Sequence, residues 1–253
     1  VTAPRNLTAC VVVIGNEVLS GRTQDANIRF LAQRLGDMGM PVREVRIIPD
    51  VTETIVRTIN EVRAAFDHVF TTGGIGPTHD DITSECVAAA FGVPWEPHPV
   101  VWARMEAHYK PGTFNAARQR MATMPRGAAL IDNGQTIAPG FSMGNVHVMA
   151  GVPAIMRAMF DMLAPTLPVG TPVISRSVHA RDMREGDLAA GLTEIQARYP
   201  TLDLGSYPYY RDDVAGVAIV AKGTDVVLAD SAIAEVTALF RGLGGAPVAG
   251  EPG

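Results

Sequence analysis

The sequence predicts an α/β fold with a mostly parallel sheet, followed by a small α+β module. Three observations carry this. Short β-branched runs such as Cys10–Ile14 are apolar without alternation, as in strands covered on both faces. Stripes at helical spacing separate them, and strands alternating with helices over short links imply parallel βαβ units. After the Pro/Gly-rich stretch 165–172 the pattern changes to alternating strands and two helices.

Taken in order, residues 9–15 form the first strand, stopped by Gly15. Ile28, Leu31, Leu35 and Met38 then recur on one helical face, with Gly39 at the C-terminal stop. Val42–Ile48 is the second strand, ended by Pro49-Asp50. Ile55, Ile59, Val62 and Phe66 make the next stripe, with Thr52 as its N-cap. His68–Thr72 is the third strand, running into Gly73-Gly74-Ile75-Gly76-Pro77, and a helix follows over 83–91. Residues 92–145 are less regular, with short helices starting at Pro99 and Asn115 and an antiparallel edge strand at Ala128–Ile131. Val146–Met149 is a further buried strand, and Pro153 opens a helix with Ile155, Met159 and Met162 inside. Beyond the break, strands are expected at 173–179, 202–204 and 214–221, and helices at 185–198 and 232–243. The domains are therefore 1–170 and 173–243, with 244–253 a disordered tail.

Composition narrows the function. With 253 residues, 47% of them hydrophobic, the chain has ample core material. A net charge of −5 argues against nucleic acid as the main partner, because a phosphate backbone calls for a basic face. No apolar run approaches the roughly 18–20 residues that cross a bilayer, and the N-terminus lacks a signal pattern, so a cytoplasmic protein with no membrane partner is expected. Cys10 and Cys86 form neither a disulfide framework nor a zinc motif and read as core residues. The two lysines, Lys110 and Lys222, each sit beside a turn residue, which leaves arginine, backbone amides or a metal ion to neutralise any bound phosphate.

Ligands of open parallel sheets bind beyond the carboxyl ends of the strands. Four such ends converge here: Gly15-Asn16-Glu17, Pro49-Asp50, the run from Thr71 to Asp81, and Ala150-Gly151-Val152-Pro153. Thr72, Gly73, Gly74, Ile75, Gly76, Pro77 and Thr78 form a loop whose backbone can approach an anion closely. It lacks the Lys-Ser/Thr of a Walker A loop and does not follow the first strand as a dinucleotide loop would. Asp80 and Asp81 beside such an anion call for a divalent cation between them or for one of them to act as a base. The plainer alternatives are that Asp81 caps the following helix, Asp50 caps the helix from 52, and Glu17 and His79 are solvated loop residues. His98 and His108 receive no role, and the cluster Tyr207, Tyr209, Tyr210 beside Arg211 reads as packing, a stacking surface or a subunit interface.

The run Thr71-Thr-Gly-Gly-Ile-Gly-Pro-Thr-His-Asp-Asp-Ile-Thr83 resembles the signature of the MoaB/Mog molybdopterin-binding superfamily. Its His-Asp-Asp version is similar to the N-terminal domain of the competence/damage-inducible protein CinA and to the molybdopterin-binding-like domain of FAD synthase. Ile14-Gly-Asn-Glu17 through Gly21, Asp25-Ala-Asn27, Ile48-Pro-Asp50, Ala138-Pro-Gly140-Phe, Gly151-Val-Pro153 and Leu204-Gly-Ser-Tyr-Pro208 agree in order. The departures are Ala150, where many relatives have Pro, and Thr136-Ile137, which replaces Gly-Thr.

The resemblance implies a three-layer α/β/α domain that binds a pterin or nucleotide phosphate on the glycine loop. Asp50 and Asp81 match the key carboxylates of the Mog branch, which adenylylates molybdopterin with Mg-ATP. The CinA and FAD synthase branches imply instead metal-dependent hydrolysis of nucleotide pyrophosphates such as ADP-ribose or FAD. The reading is thus a pyrophosphatase with Asp50, Asp80 and Asp81 catalytic, and Mg2+ or a similar ion on Asp81 and Asp50. Glu17, Gly151 and Pro153 join the 72–78 loop in ligand binding. The alternatives are a molybdopterin adenylyltransferase and a non-catalytic pterin or nucleotide module. Relatives self-associate, which implies a dimer or trimer.

Overall fold

A computed structural model describes residues 7–211 and 213–252. The chain divides into two compact units that meet at Gly170 and Thr171.

In the first unit, the elements are β1 (Ala9–Ile14), α1 (Asn16–Leu19), α2 (Asn27–Asp37), β2 (Val42–Ile48), α3 (Thr52–Ala65), β3 (His68–Thr72) and α4 (Thr83–Phe91). They continue with β4 (Trp95–Pro97), α5 (Pro99–His108), α6 (Ala116–Arg120), β5 (Thr123–Pro125), β6 (Ala129–Ile131), β7 (Gly140–Met143), β8 (Val146–Met149) and α7 (Pro153–Leu163). Six strands make one sheet in the order β2-β1-β3-β8-β7-β6. The first four run parallel, whereas β7 and β6 add an antiparallel edge.

The three layers follow from alternation along β1. Cys10, Val12 and Ile14 pack with Ile55, Ile59 and Val87 on one face, while Val11 and Val13 pack with Leu31, Leu35 and Phe160 on the other. Both faces are covered, so every β1 residue is buried and the strand reads as a continuous apolar run. Helix α2 lies on one face and α3 on the other, so the strand order reverses between β1 and β3. An open sheet has its ligand crevice at such a reversal.

Local details depart from expectation at a few points. Thr52 is the first helical residue of α3, behind an N-cap at Val51, so it does not cap the helix. Asn115 caps α6 as its position suggests, accepting the Arg118 amide at 3.2 Å, and His98 caps α5 through its ring nitrogen. The two-stranded β4–β5 ribbon and β7 were not legible, being three or four residues long.

The second unit contains β9 (Ile174–Arg181), α8 (Glu185–Arg198), β10 (Asp203–Arg211), β11 (Val214–Gly223), α9 (Val226–Gly242) and β12 (Val248–Ala249). Its antiparallel sheet has the order β10-β11-β9-β12. Val178, Val217 and Ile219 pack with Leu188, Ile195, Val236 and Phe240 of the two helices. Helix α9 starts six residues before the expected Ala232, because Asp225 accepts the Leu228 amide at 3.0 Å and caps it there. The segment 244–252 differs from the disordered tail expected: Val248–Ala249 pairs with β9, and the Gly250 amide donates to the Ser177 carbonyl at 2.9 Å. The open edge of β9 offers backbone groups that the tail satisfies.

Candidate functional site

A cavity of about 610 Å³ lies beyond the carboxyl ends of β1, β2, β3 and β8. It gathers all four predicted strand ends: Glu17, Asp50, the loop from Gly73 to Thr78 with Asp80 and Asp81, and Gly151 with Pro153. Thr72 sits behind this wall, buried at the end of β3. Both loops that depart from the resembled pattern, at Ala150 and at Thr136-Ile137, also border the cavity.

Two left-handed glycines set the loop's path, Gly73 at φ 102° and Gly74 at φ 67°. A side chain on Gly73 would overlap the Ile14 backbone carbonyl, and one on Gly74 would overlap the Thr83 hydroxyl. The Gly73 amide donates to the Met149 carbonyl at 3.1 Å, and the Thr83 amide donates to the Gly74 carbonyl at 2.9 Å. The loop is thereby fastened to β1, β8 and α4. The next amides, those of Gly74, Ile75 and Gly76, make no hydrogen bond among the described residues.

The carboxylates are each held by a local partner. Asp50 Oδ2 accepts the Asn16 amide at 2.9 Å, so this residue ties two strand ends together rather than capping α3. Thr78 donates its amide to Asp81 Oδ2 at 2.8 Å, and its hydroxyl lies within donating distance of Asp80 Oδ1 at 2.6 Å and Asp81 Oδ2 at 2.5 Å, with one proton to give to either. Asp81 therefore closes the 78–81 turn, and no side chain caps α4. Burial raises the Asp50 carboxyl above the usual range, against the Asn16 hydrogen bond, with the negative charges of Glu17 and Asp80 adding to the rise. The Thr78 hydroxyl lowers that of Asp80. His79 is 98% exposed and contributes nothing to the cavity wall.

No arginine or lysine lines the cavity among the described residues, so its anion-binding capacity rests on backbone amides. Nor do three or more His, Cys, Asp or Glu side chains among the described residues gather closely enough to hold a metal ion unaided. A hard cation of the magnesium type commonly takes one or two carboxylates and completes its shell with water and substrate phosphates. Asp50, Asp80 and Asp81 all line the cavity and are of the type that mode uses.

Three contributions were given no role in the sequence reading. Asn27 is buried, donates its side-chain amide to the Gly151 carbonyl at 2.8 Å and leaves its Oδ1 unpartnered among the described residues. Gly151 in turn lies against Gly73, where a Cβ would stand 3.3 Å from the Gly73 Cα. The signal was available: a buried asparagine at the start of a helix, next to a strand-end crevice, needs partners there. The other two are Tyr109 with Met121, which form an apolar flank from the irregular segment, and Met159, which read as core and lies within reach of the Ala150 amide at 3.4 Å.

No helix among the described residues is long and apolar enough to cross a membrane. Comparison with known proteins agrees with this geometry. Residues 10–169 match the family model described as a probable molybdopterin binding domain, and residues 172–243 match that of the FAD synthase middle domain. A CinA-like protein of Synechococcus sp. (strain CC9902) is 34% identical over 197 residues, 73% of this chain and 47% of that protein, so the chain spans about half the length of this relative. A protein of Pyrobaculum calidifontis is 35% identical over 215 residues, 79% of this chain and 80% of its own length. The crystal structure of CinA from Thermoplasma acidophilum superposes with a TM-score of 0.60 at 29% identity, covering 63% of this chain and 96% of that one. With the glycine loop at the strand-order reversal and most of the chain matched by one family model, the chain belongs to the probable molybdopterin binding domain family.

Proposed function

We propose that the cavity binds a nucleotide or pterin phosphate and that the chain hydrolyses nucleotide pyrophosphates of the ADP-ribose or FAD type with the help of a divalent cation. The observation that carries this is the run Gly74 to Gly76, whose amides have no partner among the described residues, in the wall of a crevice that also holds Asp50 and Asp80 and is lined by no cationic side chain among them. Such amides stabilise charge developing on phosphoryl oxygens without reorganising. Asp50 and Asp80 would hold Mg2+ or a similar ion jointly with the ligand's phosphate oxygens, and Asp81 would position Asp80 and Thr78 by closing their turn. When bound, such an ion supplies charge neutralisation at the bridging oxygens and lowers the pKa of an attacking water.

A second reading is a module that binds a pterin or nucleotide without turning it over. A thermal-shift panel of ADP-ribose, FAD, NAD, ATP and molybdopterin, with and without Mg2+, followed by product analysis, separates the two. A ligand bound by the native state alone raises the melting temperature with its affinity. Stabilisation by ADP-ribose or FAD together with their metal-dependent cleavage supports hydrolysis, and stabilisation without cleavage supports the binding module. Pyrophosphate release from ATP and molybdopterin would point to an adenylyltransferase. Self-association into a dimer or trimer belongs to the same proposal and is read from the mass in solution.

A further inference from the structure

The tyrosine cluster of the second unit is divided by the two-residue period of β10. Tyr207, Tyr209 and Arg211 share one face, and Tyr210, 69% exposed, points from the other. Val178, Val217 and Ile219 pack with residues of α8 and α9 on the opposite face, whereas Ala218 and Val220, also buried, lie on the Tyr207–Arg211 face. On it lies a groove of about 390 Å³ lined by Tyr207, Tyr209, Arg211, Lys222 and Glu251.

The groove is assembled around its rings. The Tyr207 ring lies across Gly205, where a Cβ would stand 2.6 Å from its hydroxyl, and the Tyr209 ring lies across Gly216 in the same way. Larger residues at either position would push the rings off the sheet. Tyr209 stands edge-on to His179, with centroids 5.9 Å apart, and its hydroxyl is buried with no hydrogen-bond partner among the described residues. The His179 ring donates from Nδ1 to the Gly250 carbonyl at 2.9 Å, which fastens the segment that brings Glu251 to the wall. Lys222 Nζ sits 5.9 Å from the Tyr207 ring centroid, and Arg211 lies at the far end of the strand.

We infer that this groove is a second ligand site, for a planar aromatic ring that carries a phosphate, as in a nucleoside monophosphate. Tyr207, half exposed, offers its face for stacking. Lys222 or Arg211 takes the phosphate, and the Glu251 carboxylate is available to polar edges of the ring. The volume lies within the range of small-molecule sites. Its lining residues all belong to the second unit, whereas those of the glycine-loop cavity all belong to the first.

The test is calorimetric titration of the full chain with AMP, adenosine and ribose 5-phosphate, repeated on Tyr207→Leu and Lys222→Gln. Both positions are at the surface, and a melting curve reports whether each variant folds. The expected result is that AMP binds, that adenosine and ribose 5-phosphate each bind at least tenfold more weakly, and that Tyr207→Leu weakens AMP tenfold or more. Lys222→Gln should weaken AMP but leave adenosine unchanged. AMP affinity unchanged in both variants, or no AMP binding at all, overturns the inference. A single-stranded oligonucleotide binding tenfold more tightly than AMP would overturn the assignment to a mononucleotide. Failure of ADP-ribose or FAD cleavage leaves this result untouched, because the variants lie outside the glycine-loop cavity.

Discussion

The carboxylate of Asp50 accepts the backbone amide of Asn16 at 2.9 Å, across the ends of the two adjacent strands β2 and β1. One side chain thus fixes the chain's exit from β1 and presents a partly buried negative charge to the crevice. Asp50→Asn keeps a carbonyl acceptor for that amide and removes the charge. Metal-dependent cleavage of ADP-ribose or FAD should fall at least about 100-fold, with the melting temperature within a few degrees. Asp50→Ala should add a loss of about 1 kcal/mol in chemical denaturation, the net worth of a hydrogen bond.

Asp80 and Asp81 should separate in kinetics despite being neighbours. Asp80→Asn removes the charge that Asp50 feels and should lower kcat. Asp81→Asn loosens the 78–81 turn, so its effect should fall mainly on the KM for the pyrophosphate. Equal kcat losses in both, with KM unchanged, would return Asp81 to the cation-binding role that the resemblance implied.

Gly73→Ala should be the most damaging small substitution in the loop. Its Cβ would overlap the Ile14 carbonyl, an immovable backbone atom, and its φ of 102° is already unfavourable for an L side chain. A loss of about 3 kcal/mol or more is expected. Gly21→Ala is the control: its φ is 71° with nothing within 4 Å, so only the backbone term of about 1 kcal/mol applies. Urea denaturation of the two variants measures the difference.

His147 makes stability depend on pH. It is 5% exposed, its ring hydrogen-bonded to Ser142 Oγ at 2.8 Å and to His68 at 3.0 Å. Burial, with a smaller contribution from His68, pushes its pKa down to about 3. Between the ordinary value of 6.5 and about 3 the unfolded chain holds a proton that the folded chain excludes. Unfolding free energy should therefore decline as pH falls below about 6.5, by up to about 1.4 kcal/mol per pH unit. His68, lowered mainly by its burial, acts in the same direction. Denaturation of His147→Gln at pH 7 and pH 5 should show a smaller difference than the parent chain.

Much of this was legible beforehand because burial on both faces leaves a strong local mark. Cys10–Ile14, His68–Thr72 and Val146–Met149 announce themselves by composition, and a nearby Gly marks where each strand stops. The loop from Thr71 to Thr83 was equally plain, since backbone in the left-handed region demands glycine whatever surrounds it. The parallel strand ends, and hence the rim on which the site lies, follow from these local signals alone.

Direction and partnership were another matter. Whether Asp81 faces a cation, caps α4 or closes its own turn depends on the Thr78 hydroxyl and amide, three positions away, and all three arrangements are compatible with the same letters. The link from Asn27 to Gly151, 124 residues on, and the seating of the 248–250 segment on β9 arise only when distant stretches are packed side by side. Apolar burial and backbone torsion are properties of a residue and its near neighbours, so they are written locally. A hydrogen bond between remote groups is settled by which elements the fold brings within reach.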